Sequence, residues 1–204
     1  MIYLYSGTPG SGKSLHVARV IYFTLMSRKP VICNFNIDTS KVRHEKMFHY
    51  MSNMDITPAY LMQFSIDYFK GRRVKEDEIT LVLDECQMMF NAREWSKKGR
   101  EDWNRFFQMH RHYGYRIILI AQFDRMIDRQ IRSLIEYEYI HRKVSNFGFK
   151  GRMLCFFMLS KDMFVCVRMW YPMKEKVSSE FFRARKKYYR LYDTYLVLSE
   201  LDSE

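Results

Sequence analysis

The sequence predicts an α/β fold built on a mostly parallel, five-stranded core sheet, and three observations lead to it. Short apolar runs alternate with amphipathic stretches at helical spacing, as repeated strand–helix–strand units require. The first run, Ile2–Tyr5, leads straight into a glycine-rich octapeptide, Gly7-Thr8-Pro9-Gly10-Ser11-Gly12-Lys13-Ser14, and then into a helical pattern. Later runs such as Arg116–Ala121 are continuously apolar, the mark of strands covered on both faces.

Each element follows from local signals. Leu15, Ala18, Tyr22 and Leu25 recur at helical spacing until Arg28-Lys29-Pro30 stops the helix. Val31–Asn36 is the second strand, and residues 39–56 show no regular pattern. Thr57 as N-cap and Pro58 at the first helical position open a helix through Phe69, which Gly71 closes. The charged loop Arg72–Glu78 leads to the third strand, Ile79–Leu83. Residues 94–113 carry the longest helical pattern, with Trp103, Phe106, Phe107 and His110 on one stripe and Gly114 as the stop. Arg116–Ala121 is the fourth strand, Asp124 caps a helix through Ile135, and Tyr137–His141 is the fifth strand. Met153–Leu159 and Met163–Trp170, separated by Ser160-Lys161-Asp162, predict an antiparallel hairpin. Residues 171–204 form a basic, Tyr-rich arm with an acidic tip. The expected division is a core domain over residues 1–142 and a small appendage, hairpin and arm, over residues 143–204, packed on the core.

Composition excludes several classes. With 204 residues, 48% of them hydrophobic and 17% aromatic, the chain can bury a core and is too apolar for disorder. Lys and Arg exceed Asp and Glu by 34 − 23 = 11, so an anionic partner is expected. Cys33, Cys86, Cys155 and Cys166 lack CxxC spacing, and His110 and His112 at i,i+2 on a helix point apart; no zinc is expected. The start has no signal-peptide pattern, and no window approaches the ~18 apolar residues of a membrane span. A cytoplasmic protein is expected, with room for a peripheral position on an anionic membrane face.

The octapeptide Gly7–Ser14 fulfils GxxxxGK(S/T), the phosphate-binding loop of P-loop NTPases, between a strand and a helix. Its glycines let backbone N–H groups turn toward phosphates, and the following helix adds its dipole. Lys13 is expected to reach the β- and γ-phosphates of ATP, and the Ser14 hydroxyl to hold Mg²⁺. The third strand ends in Asp84-Glu85, about 70 residues downstream. Asp84 is the expected second Mg²⁺ carboxylate, and Glu85 the base that activates water, which favours hydrolysis over transfer. In a strand order 5-1-4-3-2 the fourth strand lies beside the first, placing Gln122 as a polar sensor at the γ-phosphate edge. Arg125, Arg129 and Arg132, opposite the apolar Ile127, Ile131, Leu134 and Ile135, suit a neighbour's phosphate; Arg132, with Arg111 second, is the candidate arginine finger. Arg183, Arg185, Lys186 and Lys187, interleaved with aromatics, suit single-stranded nucleic acid.

These residues resemble a known family. SGTPGSGKS, VICNFNI, LVLDECQMMFNAREW, FFQMHRHYGYRIILIAQFDRMIDRQIR and LIEYEYIHRK, over about residues 1–145, are similar to the zonular occludens toxin (Zot)-like P-loop ATPases of filamentous phages. The resemblance implies an ATPase of the additional-strand class that powers extrusion of single-stranded phage DNA at the inner membrane. It implies homo-oligomers, a ring among them, and phage coat or export proteins as partners. Many members continue into a transmembrane segment and a periplasmic tail, whereas this sequence stops at Glu204. Two alternatives stay open on the residues alone: a nucleotide or small-molecule kinase, and an adapter that clamps ATP without hydrolysing it.

Overall fold

The apolar runs lie in the middle of one twisted sheet, because only there can both of their faces be covered. The structure, a computed structural model, describes residues 1–91, 99–149, 153, 163–189 and 191. Its main elements are β1 (Ile2–Ser6), α1 (Lys13–Met26), β2 (Val31–Cys33), β3 (Phe48–Tyr50), α2 (Pro58–Phe69) and β4 (Ile79–Leu83). They continue with α3 (Arg100–Met109), β5 (Tyr115–Ile120), α4 (Arg129–Arg132), β6 (Tyr137–Lys143), β7 (Met163–Trp170) and β8 (Glu175–Arg183). The sheet is mixed and eight-stranded, in the order β3-β2-β4-β5-β1-β6-β7-β8, rather than five-stranded. β1 to β6 pair in parallel, and β7 and β8 extend the sheet in antiparallel fashion.

Strand alternation divides the core between two faces. Ile2, Leu4, Ile79, Leu81, Leu83, Ile117 and Leu119 point to the face where α2 and α3 deliver Leu61, Phe69, Phe106 and Phe107. Tyr5, Val31, Cys33, Val82, Ile118 and Ile120 point to the other, covered by Leu15, Val17, Ala18, Ile21 and Leu25 of α1. All five β4 residues are buried. Thr57 caps α2 as its composition demands, its Oγ1 accepting the Tyr60 N–H at 3.2 Å.

Four expectations need correction. Met163–Trp170 does not pair with Met153–Leu159: its two edges are taken by β6 and β8, and residues 154–159 lie outside those described. The hairpin partner is β8, hidden in the sequence because a polar edge strand exposed everywhere except Phe182 shows no apolar alternation. The patternless segment 39–56 contains β3, a three-residue edge strand on β2. The second strand stops at Cys33, three residues early, because Asn34 turns to bond the backbone of Asp84.

The fourth correction concerns Asp124–Ile135, which is not one helix. Ile127 is extended (φ −89°, ψ 140°) and bridges Asn91, and the chain restarts at Asp128, whose carboxylate caps Gln130 N at 2.8 Å. Asp124–Met126 is a 3-10 turn and only Arg129–Arg132 is α-helical, so Arg125 leaves the helix face expected to hold all three arginines. Of the long helix expected over 94–113, Arg100–Met109 is helical and residues 92–98 lie outside those described. His110 is buried, as its place on the apolar stripe implies, with Nδ1 2.6 Å from Phe107 O.

Candidate functional site: a phosphate-binding loop at the carboxyl edge of the sheet

Gly7–Ser14 joins the carboxyl end of β1 to the first turn of α1, where a helix presents free N–H groups and a positive dipole end. No side chain caps that helix, and its first turn carries no acidic residue that would compete with an anion. Two glycines are fixed by their surroundings. A Cβ on Gly7 (φ 141°) would stand 2.5 Å from His141 O, and one on Gly12 (φ 95°) would stand 2.6 Å from the Phe164 ring. Ser11 N–H donates to Thr8 O at 3.1 Å, and Gly7 N–H donates to Gln122 O at 3.2 Å, which ties the loop to the end of β5. The buried Ser11 hydroxyl has no hydrogen-bond partner among the described residues.

Lys13 rests on its own loop: Nζ donates to Gly7 O at 2.6 Å and to Thr8 O at 3.2 Å. Partial burial lowers its pKa, opposed by the nearby carboxylates of Asp84 and Glu85. The loop lysine and the carboxylate pair at the end of β4 are therefore within electrostatic range of one another, with β5 lying between β1 and β4. Asp84 is half-buried and Glu85 exposed. Asp84 is held at the backbone by Asn34, which sequence reasoning missed: Asn34 Oδ1 accepts Asp84 N–H at 2.7 Å and Asn34 Nδ2 donates to Asp84 O at 2.8 Å. The Asp84 carboxylate accepts Glu85 N–H at 2.8 Å. Glu85 has a left-handed backbone (φ 44°), a strained conformation for a residue with a side chain, and its carboxylate accepts from Gln87 Nε2.

Beside the loop lies a cleft of about 510 Å³, lined in part by Gly7, Thr8, Gln122, Glu138 and Arg142. Ser6 Oγ donates to the buried Glu138 at 2.7 Å. Gln122 is thus at the carboxyl edge next to the phosphate loop. The candidate arginines are spread apart, and Asp124, a further residue of the cleft lining, lies near one of them. Arg111 is bound to Glu136 at 2.6 Å, and Glu136 also accepts Ile2 N–H at 3.2 Å, so Arg111 sits at the amino ends of the strands, opposite Gly7–Ser14. Arg132 is half-buried and lies in the field of Asp124, whose carboxyl it helps to hold down; Arg125 and Arg129 are exposed.

The basic arm splits between two roles. Tyr188 is buried against α1, and Lys187 Nζ lies 4.7 Å from the Tyr22 ring centre and 4.8 Å from that of Tyr188. Arg183 and Arg185 are exposed beside the exposed rings of Phe181 and Tyr189, and Lys186 opens the turn Lys186–Tyr189. Among the described residues, no helix is long and apolar enough to cross a membrane.

The residues fit a nucleotide. Positive-φ glycines, an uncapped helix start, a buried hydroxyl without a partner among the described residues and a loop lysine in electrostatic range of two carboxylates make a site for a polyphosphate. Similar folds are found in solved structures. The N-terminal domain of zonular occludens toxin from Neisseria meningitidis superposes with a TM-score of 0.57 at 19% identity, over 94% of this chain and 98% of that one. The genome packaging NTPase B204 of Sulfolobus turreted icosahedral virus 2, in complex with ATP-gammaS, superposes with a TM-score of 0.56 at 13% identity, over 90% and 97%. The fold is therefore that of the P-loop NTPases. By sequence the chain is similar to the Gene 1 protein of Salmonella phage IKe, 29% identical over 150 residues, and to that of Enterobacteria phage I2-2, 27% over 147 residues. Each match covers 69% of this chain but 39% of the relative, so the chain spans about two fifths of those proteins' length. The sequence model of the zonular occludens toxin (Zot) family matches residues 1–197, and this chain belongs to that family.

Proposed function

We propose that this chain is an ATP-hydrolysing motor domain for filamentous phage assembly, driving export of single-stranded DNA or virions. One observation carries the reading: a complete phosphate loop at the carboxyl end of β1, with an Asp-Glu pair at the end of β4 in electrostatic range of its lysine, in a Zot-family chain similar to filamentous phage Gene 1 proteins. Residues 1–142 form the catalytic core in this reading, and residues 143–204 carry the anion-binding edge.

The chemistry is a displacement at the γ-phosphorus of ATP. Backbone N–H groups of Gly7–Ser14 bind the phosphate chain, and Lys13 leaves its loop carbonyls for the β- and γ-phosphate oxygens. Ser14 and Asp84 would hold Mg²⁺, whose charge when bound offsets that of the β- and γ-phosphate oxygens. Glu85 accepts a proton as a water oxygen attacks phosphorus; the bond to the leaving ADP oxygen breaks and phosphate is released. Gln122, at the carboxyl edge beside the loop, faces the γ-phosphate as a polar sensor, while its own carbonyl accepts the Gly7 N–H. Arg132, or second Arg111, reaches the site of a neighbouring copy in a homo-oligomer: Arg132 is partly exposed near Asp124 at the rim of the cleft, and Arg111 sits at the opposite ends of the strands from its own phosphate loop.

The test is phosphate release from MgATP with no acceptor present. Sustained release supports the motor. Turnover only with a nucleoside monophosphate or small-molecule acceptor means a kinase, and binding without ATP loss in a single turnover means an adapter.

A further inference from the structure

A buried trio of metal-binding side chains lies on the α1 face of the sheet, behind the phosphate loop. The registers set His141 of β6 beside Cys166 of β7, and Cys166 beside Glu180 of β8, in one row across three strands. His16, on α1, covers that row. His16 Nδ1 and His141 Nε2 are 2.8 Å apart, and one ligand atom from each of His16, His141 and Cys166 lies within 4.8 Å of the other two. All three side chains are buried, at 6%, 1% and 2% exposure.

The simplest account is a hydrogen-bonded imidazole pair beside an inert thiol. Three features go further. His141 Nδ1 is 3.2 Å from Ser6 O; an N–H donated there leaves Nε2 bare and aims it at His16, the backbone-oriented tautomer typical of metal-ligating histidine. The three side chains also converge on one buried point from three separate elements, α1, β6 and β7. Finally, a tetrahedral zinc ion about 2.0–2.1 Å from nitrogen and about 2.3 Å from sulfur holds its ligand atoms about 3.3–3.6 Å apart. The two imidazole nitrogens, 2.8 Å apart, would open toward that spacing and the thiol would close on it from within 4.8 Å.

We propose that His16, His141 and Cys166 form a zinc-class metal site that ties β7 and α1 to the phosphate-binding loop. Two imidazole nitrogens and one thiolate suit a borderline-soft divalent ion, and binding displaces the thiol proton. The fourth position falls to water or to Glu180, the next side chain in the row, which Arg19 holds at 2.6 Å. The site touches the loop directly: His16 N–H donates to Gly12 O at 3.0 Å, and the His141 carbonyl limits Gly7. The expectation of no zinc rested on spacing along the chain, whereas these ligands meet only through sheet register.

Cobalt(II) added to chelator-stripped protein is the probe. The expected result is one equivalent bound, with tetrahedral visible bands and a near-ultraviolet thiolate-to-cobalt charge-transfer band, displaced by zinc. Cys166→Ser should lose the charge-transfer band, and His16→Gln should weaken binding by at least ~10-fold. No charge-transfer band in the wild type, or an equal band in Cys166→Ser, overturns the site. Should Cys166→Ser not fold, X-ray absorption of the zinc-loaded wild type decides. Two nitrogens with one sulfur support the site; a shell with no sulfur, or with several, overturns it.

Discussion

The Lys13 ammonium bonds two carbonyls of the loop it belongs to, so phosphate binding exchanges those two bonds for bonds to phosphate oxygens. Lys13→Ala should abolish MgATP binding or turnover while leaving the melting temperature nearly unchanged, because a partly solvated cation leaves no core cavity when removed. Equilibrium binding checks this, and wild-type affinity in the variant would contradict the site. The loop was legible because its eight residues are consecutive and their chemistry depends on local backbone conformation. Asn34 was not legible. Its role is to bracket Asp84, fifty positions away, and inside the expected strand Val31–Asn36 it reads as one more strand residue until pairing of β2 with β4 brings the two together.

Between elements, the segment after β5 shows why pattern reading misjudged a helix. Ile127, Ile131, Leu134 and Ile135 do recur at helical spacing, and Ile127, Ile131 and Ile135 are buried, but the bridge from Asn91 holds Ile127 extended. Tertiary pairing overrode periodicity. The same segment is pinned to the turn after β7: Tyr171 Oη donates to Asp124 at 2.8 Å, and Lys174 Nζ lies 3.6 Å away. Partial burial raises the Asp124 pKa, but Tyr171, Lys174 and Arg132 outweigh it and the net direction is down. A lowered carboxylate pKa stabilises the fold above the unfolded value, near 3.8, and that contribution disappears as pH falls through the folded value. Asp124→Asn should therefore cost about 1 kcal/mol at pH 7, discounted for partial exposure, with the difference closing in acid. Urea denaturation at pH 7 and pH 3 measures it, and an equal deficit at both would contradict the account.

At the scale of the whole molecule, the strands buried on both faces were readable and the sheet's margins were not. β3 is three residues long and β8 is almost wholly exposed, so neither carries the apolar pattern that marks a central strand. The outer strands also bring the basic arm beside α1. Replacing Arg183, Arg185, Lys186 and Lys187 together by neutral residues should flatten the salt dependence of single-stranded DNA binding by about 0.7 per lost phosphate contact. An unaltered slope would mean the arm is a solvated face. Across subunits, mixing Lys13→Ala with Arg132→Ala should restore ATP turnover, because some interfaces then pair an intact phosphate loop with an intact arginine. Co-assembly without recovery would remove Arg132 as the trans-acting cation.

The claim on which the rest depends is that Glu85 activates water beside the phosphate loop. Phosphate release by Glu85→Gln, measured alongside MgATP affinity, tests it directly. The amide keeps the shape and cannot accept the proton, so binding should persist while turnover falls by ~10²–10⁴-fold. Turnover at the wild-type rate, with the nucleotide still bound, would contradict it.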